Sequence, residues 1–190
     1  MKKLLASTLL ATSLPFTANA VAADYMLDIK GAHTAIEFAV THLGYGWVNG
    51  RFNEFEGKFS FDADKPEESK LDMTIQTKSV DSNHAERDKH LRAADFLNTE
   101  KHPEASFKST SFTLGADKKG KLVGDFTLNG VTKPLTIDVR MTNAGKDPWG
   151  GERIGFKGDA SFDMKDYDIT PSFADTTVEL DLFVEGVKMK

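Results

Sequence analysis

Three of the chain's five histidines fall within one stretch, "NHAERDKHLRAADFLNTEKHP" at residues 83–103, among acids and bases. Histidine titrates near neutral pH and is a common metal ligand, so the stretch offers acid–base chemistry or a metal site. His84 and Asp88 stand four apart and form the tempting acid–base pair; Glu86 and His90 share that spacing. A catalytic histidine needs a nucleophile or a substrate proton within hydrogen-bond reach. The sequence shows none, and it has no G-x-S-x-G elbow. A helical zinc site needs two histidines four apart on one face, as in H-E-x-x-H. His84 and His90 are six apart, which turns them ~120° from each other around a helix. His102 lies further on, beside Pro103. No catalytic residue and no metal are therefore expected.

Two other near-motifs fail on the same kind of test. "GADKKGKL" at residues 115–122 has the spacing of a phosphate loop, but Leu122 stands where Ser or Thr must meet magnesium. "DADKPEES" at residues 62–69 opens like a calcium loop, yet Pro66 and Glu67 replace a ligand and the turn glycine. Both read as loops.

The elements around these residues are clearer than the chemistry. Residues 83–97 are good helix formers, with no glycine or proline before Pro103. Asn83 with Glu86 has the pattern of a capping box. Ala85, Leu91, Ala94, Phe96 and Leu97 supply an apolar side, and Glu86, Arg87, Lys89 and Arg92 supply charge. Everywhere else apolar residues recur at every second position, the period of a strand. Ile36, Phe38 and Val40 do so, as do Leu71, Met73 and Ile75, then Leu135, Ile137 and Val139, and finally Val178, Leu180, Leu182 and Val184. Asn129-Gly130 is a hairpin pair, and the polar run at 115–120 is a loop. Phe107 and Phe112 differ in parity, which predicts a bulge between them. Eight or nine strands result.

The chain has 190 residues, no cysteine, 14 phenylalanines and a formal charge of −5. Its length suits one domain, and its weak acidity leaves no footprint for nucleic acid. Without cysteine there is no disulfide, thiol nucleophile or thiolate metal site. The first 22 residues read as an export signal: Lys2 and Lys3, an apolar run from Leu4 to Phe16, then small residues with an A-x-A site ending near Ala22. Residues 23–190 form the folded domain. One face of its strands carries Glu54, Glu56, Asp125, Asp138, Arg140, Lys157, Asp159, Glu179, Asp181 and Glu185. That density of charge suits water and not hydrocarbon, so the apolar face points into a closed barrel. The single helix then lies across an open end as a lid.

"HLGYGWVNGRF" (42–52), "SVDSNHAERDKHLRAADFLN" (79–98) and "LNGVTKPL" (128–135) together resemble the YceI family of exported, polyisoprenoid-binding proteins. The resemblance spans essentially all of the chain after the signal. It implies an all-β fold: an extended eight-stranded antiparallel lipocalin-like barrel with one capping α-helix at about 83–97. It also implies a periplasmic binding or carrier protein, holding a long apolar lipid such as a polyisoprenoid or isoprenoid quinone in the lumen. Parity selects Phe38, Val40, Phe55, Phe59, Met73, Ile75, Phe126, Ile137, Phe156, Phe162, Leu180 and Leu182 as lining. Trp47 and Phe52 are placed near a mouth, and Leu91 and Phe96 face the lumen from the lid. Expected partners are an isoprenoid or other long-chain lipid, a transient membrane contact and a second copy in a homodimer, with no cofactor beyond a bound lipid or quinone. Two alternatives stand beside this reading: an enzyme acting on a lipid substrate through His84, Asp88 or His90, and a stress-related barrel whose core is filled.

Overall fold

The computed structural model describes residues 22–171 and 175–190; residues 1–21, which hold the expected export signal up to its last residue, lie outside them. Among the described residues the strands are β1 (Ala23–Leu27), β2 (Ala35–His42), β3 (Gly46–Phe52), β4 (Phe55–Phe61), β5 (Lys70–Gln76), β6 (Val80–Asp81), β7 (Glu104–Leu114), β8 (Lys119–Leu128), β9 (Val131–Lys146), β10 (Glu152–Asp163) and β11 (Thr177–Lys188). One helix, α1 (Ala85–Arg92), separates β6 from β7. The sheet runs β1-β4-β5-β7-β8-β9-β10-β11-β2-β3-β6, and β1 also pairs with β11, so the ring closes. Closure leaves only short free edges among the described residues, at β6, which pairs with β3 alone, and at β7 beyond Lys108 on its β5 side.

Three pairs of strands are halves of single staves. β1 and β2 lie one after the other along β11, opposite residues 186–188 and 179–183. β3 and β4 follow along β2 and β1 in turn, and β5 and β6 along β4 and β3. The result is eight antiparallel staves in up-and-down order with one helix, the barrel that the alternation and the resemblance predict.

Local chemistry explains the turns. Asn129 and Gly130 both have positive φ, 49° and 77°, which is the two-residue turn whose twist matches a hairpin. The His102 ring rests against Gly130, where any side chain would collide with it. In β7 the register slips between Ser109 and Ser111, so Thr110 is the extra residue of a bulge. That slip turns both Phe107 and Phe112 inward despite their opposite parity, and both are buried.

The helix is shorter than the sequence predicts and is capped differently. His84, not Asn83, is the N-cap, its Nδ1 accepting from the Arg87 amide at 3.2 Å, and α1 ends at Arg92. Residues 93–99 continue as turns, with Leu97 N donating to Leu91 O and Asn98 N to Ala93 O. The physical reason is rotation. In one continuous helix Leu91 and Phe96 would point about 140° apart. Breaking after Arg92 lets Leu91, Phe96 and Leu97 all turn toward the barrel. Ala85 and Ala94, expected on the apolar side, are exposed.

Candidate functional site

The apolar faces enclose a cavity of about 200 Å³. β2, β4, β5 and β7 through β11 all contribute, and α1 with the turn after it adds Leu91, Phe96 and Leu97. Among the described residues, Ser60, Ser69 and Lys70 are the polar members of the lining, and Ser60 and Lys70 alternate with inward Phe59, Phe61 and Leu71, so their side chains turn to the outer face. A wall of this kind binds by exclusion of water and offers few hydrogen bonds for orientation.

The two ends differ. Away from α1, Phe156 meets Phe59, Phe61 and Phe112 edge to face, with ring centroids 6.1, 5.6 and 6.2 Å apart. Phe59 also stacks on Tyr25 at 5.1 Å and lies over Gly186, which leaves no room there for a side chain. At the α1 end Phe38 and Phe52 sit 5.9 Å apart beneath Phe96 and Leu97. Beside them the 3-10 turn Met164–Tyr167 brings Tyr167, 1% exposed, against Phe126 and Phe162. Burial pushes the Tyr167 phenol up to about 12.

Most of the residues selected by parity meet here. Phe38, Val40, Phe52, Phe59, Met73, Ile75, Leu91, Phe96, Phe126, Ile137, Phe156, Phe162, Leu180 and Leu182 all line the cavity. Trp47 does not. It pairs with Thr41 while Val48 pairs with the lining residue Val40, so the register turns the indole outward, 54% exposed. Phe52 and Trp47 are five apart on one strand and cannot share a face. Phe55, expected among the lining, is the correction. It shares the inward face with Ile75 across β4 and β5 and packs half-buried against the core, yet it does not reach the cavity.

Several lining residues escaped the sequence reading. Phe61, Phe107 and Phe112 also line it, the last two sharing the inward face because the bulge lies between them. Val80 and Met164 lie on short elements and Ile169 just beyond one, with no alternation to reveal them. Ser69 precedes β5 and carries no signal of its own.

The histidine-rich stretch holds the helix in place. Asp88 is buried and accepts from the Ser82 amide at 2.8 Å and from the Ser82 hydroxyl. Arg87 Nε donates to Ser82 Oγ at 2.7 Å, and Arg92 reaches the Val80 carbonyl. His90 Nε2 lies 3.1 Å from Asp95 Oδ2 and edge-on to Phe96. The tempting pair His84 and Asp88 is thus divided between a cap and a buried anchor.

One cluster elsewhere has the donor types of a metal site: Asp28, His33 and Glu185, whose ligand atoms lie within 4.8 Å of one another. Its positive charge comes from the protein itself. Arg153 Nη1 donates to Asp28 Oδ2 at 2.6 Å and to Glu185 Oε1 at 2.5 Å, and Nε donates to Asp147 at 2.9 Å. The His33 ring and the Arg153 guanidinium hold the Asp28 carboxyl down at about 2. A cation entering here would have to displace a guanidinium with three carboxylate partners.

On the outside, the β2–β3 hairpin presents Leu43, Tyr45 and Trp47, with Tyr45 93% exposed. The lid and this apolar tip stand at the same end of the barrel.

Residues 25–186 match the model of the YceI-like domain. A UPF0312 protein of Shewanella denitrificans is 54% identical over 190 residues, covering 99% of this chain and all of the relative. The solved YceI protein of Campylobacter jejuni is 28% identical, with a TM-score of 0.71 over 80% of this chain and 91% of that one. A polyisoprenoid binding domain from Saccharophagus degradans, 15% identical with a TM-score of 0.64, covers 87% of this chain and 98% of that one and shares the fold.

Proposed function

The chain belongs to the YceI-like domain family, and from that premise we propose that its barrel binds the apolar chain of a lipid, a polyisoprenoid or an isoprenoid quinone, as a periplasmic carrier. The observation that carries the reading is the cavity: almost wholly apolar, walled by strands around the barrel and roofed by a short helix. A prenyl chain gains about 0.8 kcal/mol for each methylene taken from water. The Saccharophagus degradans domain that shares the fold is described as polyisoprenoid binding, which supports the ligand class.

At about 200 Å³ the cavity is smaller than the roughly 300–1,000 Å³ usual for small-molecule pockets. A long chain is therefore accommodated by movement of the lining, and the α1 end offers the easier route. Leu91, Phe96 and Leu97 are half-buried and sit on one short helix and a turn. The tip of the β2–β3 hairpin beside them places Tyr45 and Trp47 where a bilayer interface favours such rings. Loading and release then occur at a membrane, through this end. The amino-terminal segment, read as an export signal, supports a periplasmic site of action.

This is a reading of a binding protein and not an enzyme. Its support is that Asp88 and His84 are committed to anchoring and capping the lid. The test is direct. Protein purified from its native compartment without detergent should release a prenyl lipid on organic extraction, identified by mass spectrometry at near one per chain. Repeated empty extractions from such preparations would refute the proposal.

A further inference from the structure

Ser69 follows the 3-10 turn Pro66–Glu68 and stands just before β5, at the barrel end away from α1. It lines the cavity and is 6% exposed, and its Oγ has no hydrogen-bond partner. The cross-strand pair beside it, Ser60 and Lys70, turns its side chains outward, opposite in parity to Phe59, Phe61 and Leu71. Of the polar lining residues among the described ones, Ser69 alone shares the inward parity of Leu71, Met73 and Ile75. A buried hydroxyl without a partner is disfavoured and uncommon in folded proteins, and each instance calls for an explanation.

The neighbouring wall adds a second feature. The backbone ladder between β5 and β7 ends at Asp72 and Lys108, and the next amide, Leu71 N, donates to the Ser109 hydroxyl instead. Outside this point lies a groove that shares Phe59, Ser60, Lys70 and Leu71 with the cavity. It adds Lys58 and Lys108 on one side of the charge balance and Asp24 and Asp72 on the other. The groove keeps its charges on the water side, while Ser69 is buried among the residues that line the cavity.

Resting on the lipid-binding reading above, we propose that the ligand carries an uncharged oxygen at one end, an alcohol or a ring carbonyl, and that this oxygen hydrogen-bonds to Ser69 Oγ. The apolar chain then runs from the Phe156 ring cluster toward α1. A hydroxyl both donates and accepts, so either oxygen type satisfies it. An ionised head does not fit, because one hydroxyl cannot offset the desolvation of a charge among aromatic rings. The site therefore selects an amphiphile over a plain hydrocarbon. A pocket with a polar group left unpaired discriminates against the ligand that lacks the matching atom.

The experiment compares farnesol with farnesene, prenyl chains that differ at the terminal hydroxyl, as competitors of the fluorescent apolar dye N-phenylnaphthylamine. It uses the mature full-length protein and its Ser69→Ala variant. The alanine variant should bind farnesol about tenfold more weakly, the loss of one hydrogen bond. Its affinity for farnesene should be unchanged, and its melting temperature should not fall, since the hydroxyl has no partner to lose. An unchanged farnesol affinity in the variant would overturn the proposal and show a hydroxyl that merely holds water. An equal loss for both compounds would overturn it too, marking a packing defect. If neither compound displaces the dye from the wild type, the lipid-binding reading itself fails.

Discussion

Phe156 at the far end of the barrel is held by three other phenylalanines within 6.2 Å, whereas the α1 end is roofed by three half-buried side chains on a helix of eight residues and a turn. Both ends are lined by apolar side chains. Interlocked edge-to-face rings resist displacement, because each ring's position depends on its neighbours. The roof depends instead on polar ties at its margin, Asp88 and Arg87 to Ser82 and Arg92 to the Val80 carbonyl. Closure by packing makes a floor. Closure by a few hydrogen bonds makes a door.

The contrast is easiest to break with one substitution at each end. Phe156→Ala should cost about 3–5 kcal/mol in a denaturant titration, by opening a void inside the ring cluster. Phe96→Ala should cost less, about 1–2 kcal/mol, because its ring meets one aromatic partner, His90, where the equally half-buried Phe156 meets three, while speeding dye entry in stopped flow. Equal costs at the two sites would erase the distinction. Asp88→Ala comes next, at about 1–3 kcal/mol, since the Ser82 amide and hydroxyl lose their acceptor in a buried place. Hydrogen exchange should quicken in α1 and spare the strands around Phe156.

A smaller effect separates the flanks by pH. Asp28, with its carboxyl held at about 2, favours the fold through its ionised form, against about 3.9 when unfolded. The stability it contributes is complete above about pH 5 and fades as the pH falls toward 2. The melting temperature of the wild type should therefore drop across that window, and Asp28→Asn should show a flatter profile from a lower start. Parallel profiles would remove Asp28 from the account. The smallest effect on the fold belongs to Tyr45→Ser at the exposed hairpin tip. Its melting temperature should match the wild type, and transfer of a bound fluorescent prenyl probe to phospholipid vesicles should slow. Unaltered transfer would separate the tip from delivery.

Faces were legible in the sequence because a strand has a period of two. Val40, Phe59, Ile137 and Leu182 all reach the cavity that parity assigns them. The Asn129-Gly130 turn and the bulge at Thr110 were legible for related reasons, since each leaves a local mark in residue type or in spacing. The length of α1 was not. Where the helix breaks depends on which way Phe96 must turn, and that is set by the barrel mouth and not by propensity. Trp47 shows a similar gap: an aromatic near a mouth can face in or out, and the pairing of Val48 with Val40 decides it. Ser69 was silent for a third reason. A serine is unpaired only by virtue of everything around it, and no local pattern records that.

The broken staves carry one more consequence. Their interruptions, at residues 28–34, 53–54 and 77–79, fall on three adjacent strands and are bridged by hydrogen bonds outside the regular ladder, among them Asp28 N to Glu185 O, Asn53 N to Ser79 O and Gln76 N to Glu54 O. The wall is creased there along one diagonal. β2, β3 and β6 lie on the far side of that crease, and α1 is fastened to the same panel at Val80 and Ser82. The short helix and the β6 backbone therefore share their anchoring residues, which makes the roof a continuation of that panel.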